Sequence, residues 1–261
     1  DMMNFVCIKW GSKYSPEYVN NLKAMVERHY TRPCTFTCFT DDAEGLDCAT
    51  APIPNIEPLH PDYWFGKENF CWDRAKFLVF NSHKWLGYEG KWCYFDLDVI
   101  VQNNINDLYN LANKPRIIES KWQPPGQQHE RFFIDIRGTY FNSSMMCWNG
   151  SQCEKIYYDV LEHQDVVFKT FFKGSDNYHY WRQKKFWGNI PWDWVYSYNR
   201  GAHHKEDKEK YKYREEYKVC LFNTDLTPDP AAKAQIKMSE LQDEKLLRHW
   251  HGANFNSKLT G

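Results

Sequence analysis

No stretch of this 261-residue chain comes near the run of about 18 apolar residues that a membrane-spanning helix needs. The opening DMMNFVCIKW also lacks the basic-then-apolar layout of a secretory leader; the cytoplasmic protein expected here rests on its cysteines, which read as reduced thiols. Charge of one sign is missing: 33 basic and 34 acidic side chains leave a net charge of −1. That removes the electrostatic reason to expect nucleic acid or an anionic membrane as a partner. The nine cysteines (7, 34, 38, 48, 71, 93, 147, 153 and 220) form no paired framework. Only Cys34 and Cys38 are close, and no second pair completes a zinc site, so they read as reduced, mostly buried thiols. Repeats and low-complexity linkers are absent too, which gives no domain boundary.

What the chain does have is aromatic side chains, 18% of all residues, crowded late in YHYWRQKKFWGNIPWDWVYSYNRG. Such faces suit sugars and bases, although many of these rings must be core. The order of elements is equally informative. NFVCIKWG reads as a strand stopped by Gly11; Ser15 and Pro16 then open a helix with Tyr18, Leu22, Met25, Val26 and His29 at helical spacing. CTFTCFTDD alternates as the next strand, so the chain begins with a βαβ unit and a parallel sheet. A helix is predicted over NFCWDRAKFLVFNSHKWL, including Phe70, Ala75, Phe77, Leu78 and Trp85. Strands follow at KWCYFDLDVIV, PRIIESKW and YFNSSMMCWNG. CEKIYYDVLEHQDVVFKTFF reads as one helix with Ile156, Val160, Leu161 and Phe168 inward, KVCLFN as a last strand, and AAKAQIKMSELQDEKLLRHW as a terminal helix. The mixed run HHKEDKEKYKYREEYK reads as an exposed helix face or a mobile loop.

One run needs chemistry to explain it. In KWCYFDLDVIV, Asp96 and Asp98 would share one face of an extended chain, with Leu97 on the other. Two carboxylates held together away from water repel and raise each other's pKa unless a cation sits between them. Open α/β sheets bind ligands at the carboxyl ends of their strands. There Lys9, Trp10 and Gly11, Thr40 to Asp42, and Asp96 to Asp98 would form a rim for a nucleotide, with Mg2+ or Mn2+ on the aspartates bridging phosphate oxygens. Asp176, in KGSDNYHYW, lies between a predicted helix and the aromatic cluster. There it could take the proton from an attacking hydroxyl while an acceptor sugar stacks on Trp181, Trp192 or Trp194.

Taken in order, CIKWGSKYSPEYVNNL, CFTDD, WCYFDLDVIV, YFNSSMMCWN and GSDN resemble the successive landmarks of the GT-A nucleotide-sugar glycosyltransferases, over about residues 4 to 200. Within that group the chain is most similar to small viral and bacterial members, such as the chlorovirus enzymes that decorate a capsid protein. The resemblance implies a Rossmann-like α/β fold with a mostly parallel sheet flanked by helices. It would be a single domain with a nucleotide half (about 1–110), an acceptor half (about 111–223) and a helical C-terminal extension (224–261). It places Lys9, Trp10, Gly11 and Tyr14 beside the nucleotide, Thr40 and Asp41 near its base or ribose, and Arg74 and Lys76 near the diphosphate or sugar. Asp96 would reach ribose or sugar hydroxyls, Asp98 would be the firmer metal ligand with Leu97 between them, and Asn142 and Ser143 would line the donor sugar. Where many members have a Phe-His-Gly segment completing the metal shell, this chain reads LFNTDLTPDP, so Asn223, or else His249 or His251 from RHWHG, takes that place. For viral kin, cytoplasm means that of an infected host cell.

The function expected is metal-dependent transfer of a sugar from a nucleotide diphosphate, uridine ahead of guanosine, to a hydroxyl of a glycan or glycoprotein, with inversion. Two other readings compete. A nucleotidyltransferase would use similar carboxylates, but KWGSKYSPEY holds one glycine and no basic cluster after the first strand. A non-enzymatic carbohydrate-binding module would explain the aromatic residues and leave the acidic pair unexplained.

Overall fold

The computed structural model describes residues 1–67, 73–124, 139–171, 174–223, 238–252 and 255. Phe70 and Cys71 lie outside them. Seven strands form the main sheet: β1 (Met3–Lys9), β2 (Cys34–Thr40), β3 (Ala49–Pro52), β4 (Lys91–Phe95), β6 (Arg116–Glu119), β7 (Phe141–Asn149) and β8 (Gly188–Asn189), in the order β3-β2-β1-β4-β7-β6-β8. β1 pairs in parallel with β2 and β4, β2 with β3, and β6 with β8; β7 runs antiparallel to both β4 and β6. A second sheet, β5-β10-β9, joins β5 (Val99–Val101), β10 (Val219–Leu221) and β9 (Val195–Ser197). The mixed, mostly parallel α/β sheet flanked by helices is the fold class the sequence implies.

Period-2 alternation explains how the sheet is covered. From β1, Met3, Phe5 and Cys7 pack on one face with Val19, Leu22, Met25 and Val26 of α1 (Pro16–His29). Val6 and Ile8 point the other way, toward Phe77, Leu78, Trp92 and Tyr94. β4 and β7 repeat the split: Cys93, Phe95, Met145 and Cys147 on the α1 face, Trp92, Tyr94, Met146 and Trp148 on the opposite one. With both faces covered, all seven residues of β1 are buried, which is why its sequence is near-continuously apolar. Pro16 opens α1 as expected, but the Ser15 side chain makes no capping bond; the Tyr18 N–H bonds to its carbonyl instead.

Four expectations are corrected. The helix foreseen before the acidic run is a 3-10 stretch, Arg74–Asn81, followed by a short α2 (Ser82–Leu86). Every residue from Phe77 to Asn81 is buried, so this segment is enclosed rather than laid amphipathically on the surface. The long helix after β7 is two, α4 (Glu154–Glu162) and α5 (Gln164–Thr170), broken at His163; Ile156, Val160 and Phe168 are buried, and Leu161 is partly so. Between α2 and β6 a short α3 (Leu108–Leu111) intervenes, and α6 (Ser175–Gln183) follows α5. The mixed-charge run is neither helix nor free loop. Its Arg214, 2% exposed, grips Asp207 through two hydrogen bonds of 2.7 and 2.6 Å and also donates to the carbonyls of Lys212 and Glu209. Finally, the terminal helix is confined to α7 (Glu244–His251), preceded by a 3-10 turn at Met238–Glu240; residues 231–237 of the expected helix lie outside the described ones. Asp243 caps α7 by accepting from the N–H groups of Lys245 and Leu246.

All eight described cysteines are free, six of them buried, as the reading of small apolar thiols requires. Among the described residues no helix is long and apolar enough to cross a membrane.

Candidate active site

The topology makes a crevice before any side chain is considered. From β1 the chain builds β2 and β3 on one side, then returns through β4 on the other, and ligands of open α/β sheets sit where the winding reverses in this way. Parallel pairing brings the carboxyl ends of β1, β2 and β4 to one edge, with Lys9 opposite Thr40. Because β7 runs backwards beside β4, its first residues reach the same edge, and the Asp96 N–H bonds to the Ser144 carbonyl at 2.9 Å. A cavity of about 570 Å³ opens there, lined by Trp10 to Tyr14, Phe65, Asp73, Lys76, Tyr94 and Asp96 to Asp98. A smaller recess of about 130 Å³ adjoins it, sharing Asp96 and Asp98 and adding Asn142, Ser144 and Asn223.

Asp96 and Asp98 do not lie within one strand. β4 ends at Phe95 in the main sheet and β5 begins at Val99 in the second, so the acidic pair occupies the bend where the chain changes sheets. Both carboxylates still face the same two cavities, while Leu97 is buried in the core. Their surroundings differ. Asp96 accepts the Tyr94 hydroxyl at 2.6 Å and the Lys76 ammonium at 2.9 and 3.1 Å. Asp98 is 8% exposed; burial and then the charge of Asp96 push its carboxyl up to about 7, against the opposing pull of Lys76 and Lys13. Burial lowers the pKa of Lys76, but the carboxylates of Asp96, Asp73 and Asp176 outweigh it and hold the ammonium above its ordinary value.

Lys76 is the hinge of a polar chain running into α6. It donates to Ser143 at 3.1 Å; Ser143 in turn donates its backbone N–H, at 2.8 Å, and its hydroxyl to Asp176. The Ser143 and Ser175 hydroxyls meet at 3.2 Å, and both the N–H and the hydroxyl of Ser175 donate to Asp73. Asp176 lies in the first turn of α6, and burial pushes its carboxyl up to about 6 although Lys76 and Ser143 draw it down. It lines neither cavity, and its link to the larger one runs through Ser143 to Lys76.

The remaining expected residues divide. Trp10 lines the large cavity, set edge-on to Trp64 and Phe65 with ring centroids 5.2 and 5.0 Å apart, and Tyr14 packs on Tyr18. Gly11, at φ +64°, suits the left-handed turn that ends β1, and its N–H donates to Asp41 at 3.0 Å. Thr40 is tied to the backbone of Asp42 and Lys9 to the carbonyl of Gly11, so these strand-end groups shape the rim and do not line the cavity. Arg74 stacks over Phe168, 3.9 Å from the ring centre, and does not line the cavity that Lys76 enters. Asn142 faces the recess, and its side-chain oxygen accepts the Ser144 N–H.

The three tryptophans are not brought together: Trp181 is half-buried on α6, Trp192 is 44% exposed beside His203, and Trp194 is packed in the core. His249 bonds to the Tyr213 hydroxyl at 2.9 Å and His251 faces Glu17 at 3.7 Å, so neither histidine lines the recess. Asn223 does, and its side-chain oxygen is buried without a hydrogen-bond partner among the described residues. Among those residues, too, no three His, Cys, Asp or Glu side chains gather as a metal cluster. Two carboxylates in a recess that Asn223 and Asn142 also line nevertheless suit a hard divalent cation.

Sequence reasoning missed Asp73, Ser175, Tyr94 and Phe65. Tyr94 was within reach, since it stands two residues before Asp96 in an extended run. Asp73 and Ser175 carry no local signal because their partners lie about a hundred positions apart in the chain.

No protein-family model matches the chain, and no curated protein matches it by sequence. Solved structures do share its fold. The galactosyltransferase LgtC, in complex with donor and acceptor sugar analogs, superposes with a TM-score of 0.52 at 13% identity over 86% of this chain and 87% of that one. An active-site mutant of LgtC gives 0.52 at 12% identity over 84% and 86%. The bifunctional glycosyltransferase WbbM gives 0.52 at 8% identity, covering 99% of this chain and 51% of its own.

Proposed function

We propose that this chain is a glycosyltransferase that moves a sugar from a nucleotide diphosphate, a UDP-sugar first among those to test, to a hydroxyl of a carbohydrate or glycoprotein. The observation that carries the reading is the acidic bend: two carboxylates meet a nucleotide-sized cavity at the switch point of a sheet whose fold is shared with glycosyltransferases. Asp98 and Asp96 would hold a divalent cation, Mn2+ or Mg2+, which when bound neutralises the charge developing on the departing diphosphate.

The chain's own residues do the rest. Tyr94 and Lys76 fix Asp96 at the centre of the cavity, where it can accept hydroxyls of the donor. Trp10 and Tyr14 offer aromatic faces to the nucleoside, and Lys13 brings a positive charge to the rim. Asp176, whose carboxyl burial pushes up to about 6, would take the acceptor proton if transfer inverts; because it lines neither cavity and is held by Ser143, that role requires the acceptor to reach it from outside the donor cavity.

The test is a thermal-shift panel of UDP, GDP, CDP and ADP and their common sugar conjugates with Mn2+, Mg2+ or EDTA. Metal-dependent stabilisation by one diphosphate is expected. Indifference to every nucleotide, alongside metal-independent stabilisation by free sugars, would move the assignment to a carbohydrate-binding module. Pyrophosphate release from a nucleoside triphosphate would move it to nucleotidyl transfer. NMR assignment of the product anomer examines Asp176 separately: a retained configuration removes its role as base and leaves the transfer intact.

A further inference from the structure

We infer that Tyr18 is the residue that positions Tyr14 in the wall of the larger cavity, and that α7 sets nucleotide affinity from outside that cavity by way of Trp250 and Tyr18. The inference rests on the nucleotide reading above. Tyr14 lines the cavity from the short connection between β1 and α1. A ring carried on a loop keeps its place only if something rigid packs behind it. Here that is Tyr18, in the first turn of α1: the two rings meet edge to face, with centroids 5.0 Å apart and planes at 63°. Burial and then the charges of Asp98 and Asp96 push the Tyr14 hydroxyl above its ordinary pKa, so the side chain stays a neutral phenol beside the acidic bend.

Tyr18 is held in turn by the far end of the chain. Its hydroxyl accepts the Met238 N–H at 3.2 Å, across 220 positions of sequence, and its ring meets that of Trp250, on α7, at 5.4 Å and 66°. Trp250 is buried and, with Leu246, belongs to the core that also takes in Val19 and Leu22 of α1. α7 is fastened to α1 by residues on either side of Tyr18 in the sequence: His251 faces Glu17 at 3.7 Å, and Arg28 donates to the His249 carbonyl. Gly252, at φ +61°, ends α7 so close to the Arg28 guanidinium that a Cβ there would lie 2.6 Å from it. Among the described residues, none from Met238 onward lines either cavity; the route from α7 to the cavity wall runs Trp250, Tyr18, Tyr14. Each edge-to-face step is worth more than ring burial alone, so disturbing the far end loosens the near one.

The experiment is calorimetric titration with UDP, GDP, CDP and ADP, Mn2+ present, on wild type and on single and double variants. Tyr14→Ala should weaken binding of the diphosphate that wild type prefers by about tenfold or more, the scale of a lost base–aromatic stack. Tyr18→Ala and Trp250→Ala should each weaken it by about 2- to 10-fold, the range of one aromatic pair. Tyr18→Phe, which keeps the ring, should restore most of the affinity. In the Tyr14→Ala background, Tyr18→Ala and Trp250→Ala should cost little more, because their route to the nucleotide is already gone. A purely structural role would lower melting temperatures without that non-additivity. If an alanine variant fails to fold, Tyr18→Leu and Trp250→Leu retain apolar bulk and carry the same expectation. Unchanged affinity in folded Tyr18 and Trp250 variants, or losses that add in full to that of Tyr14→Ala, would overturn the inference. Wild-type protein that binds none of the four diphosphates would instead remove the nucleotide reading on which it rests.

Discussion

Two buried ionic centres in this molecule are built on opposite principles. Arg214 and Asp207 are matched one to one, fork to fork, with the remaining guanidinium donors satisfied by backbone carbonyls. At the acidic bend the Lys76 ammonium lies in the field of Asp73, Asp96 and Asp176, and Asp98 stands beside Asp96. The first centre is electrically complete and holds a charged run against the small sheet. In the second, carboxylates outnumber the ammonium, and burial raises the cost of keeping them ionised. A balanced pair maintains shape; an unbalanced cluster is prepared for a positive charge that arrives with a ligand.

Asp98→Asn should break this contrast hardest. Turnover should fall by roughly 10²- to 10³-fold, the scale of removing one preorganised electrostatic contact, in a coupled assay of nucleotide diphosphate release. Stability should move the other way. The folded pKa of Asp98, about 7, lies above the ordinary aspartate value, so its contribution to stability is complete below about pH 4 and is lost as pH rises through 7. At pH 8 the metal-free Asp98→Asn protein should therefore melt higher than wild type, its unfolding free energy raised by an amount on the order of a few kcal/mol. A lower melting point at pH 8 would show that the carboxylate is already compensated in the metal-free protein.

Lys76→Met and Arg214→Met compare the two centres directly. Lys76→Met strands the carboxylates of the acidic bend and should cost about 3–5 kcal/mol in denaturant titrations, whereas Arg214→Met leaves Asp207, 28% exposed, in reach of water and should cost about 1–3 kcal/mol. Only Lys76→Met should also lower kcat in protein kept folded at low temperature. Equal kcat losses would mean that the Arg214 pair shapes the site as well.

A gentler effect is expected from pH alone. On the proposed metal reading a cation would have to displace the Asp98 proton, so apparent metal affinity should fall about tenfold per unit below pH 7 and level off above it, measured by calorimetry in matched buffers. Trp192→Ala should do least to the fold, changing stability within about 0.5 kcal/mol because the ring is 44% exposed. If it carries acceptor, only the acceptor KM should rise.

Much of the fold was legible because its signals are local. The βαβ opening, the α1 face and the strands β1, β2, β4, β6, β7 and β10 follow from alternation, helical spacing and the proline that opens α1. The misses share a physical cause: they depend on neighbours distant in sequence. Nothing in LEHQD, which has neither glycine nor proline, announces the break at His163 between α4 and α5. Nothing in DLDV says that the strand on one side belongs to a different sheet from the strand on the other. Arg214 looks solvated in a run of charges until Tyr196 and Gln102, distant in sequence, close over it, although its partner Asp207 stands only seven residues before it.

By itself the sequence determined which side chains could do chemistry: an acidic pair seated among apolar residues and polar residues closing three strands, the lysine ahead of the pair coming only with the family resemblance. Spacing alone was enough, because period-2 and helical geometry act within a few residues. Tertiary structure decided which of them meet. The reversed direction of β7 brings Ser143 to Lys76 and Asp176, and the small sheet brings Asn223 to the aspartates while α7 holds His249 and His251 elsewhere. Those choices rest on strand direction and sheet pairing, which are set by contacts across the whole chain.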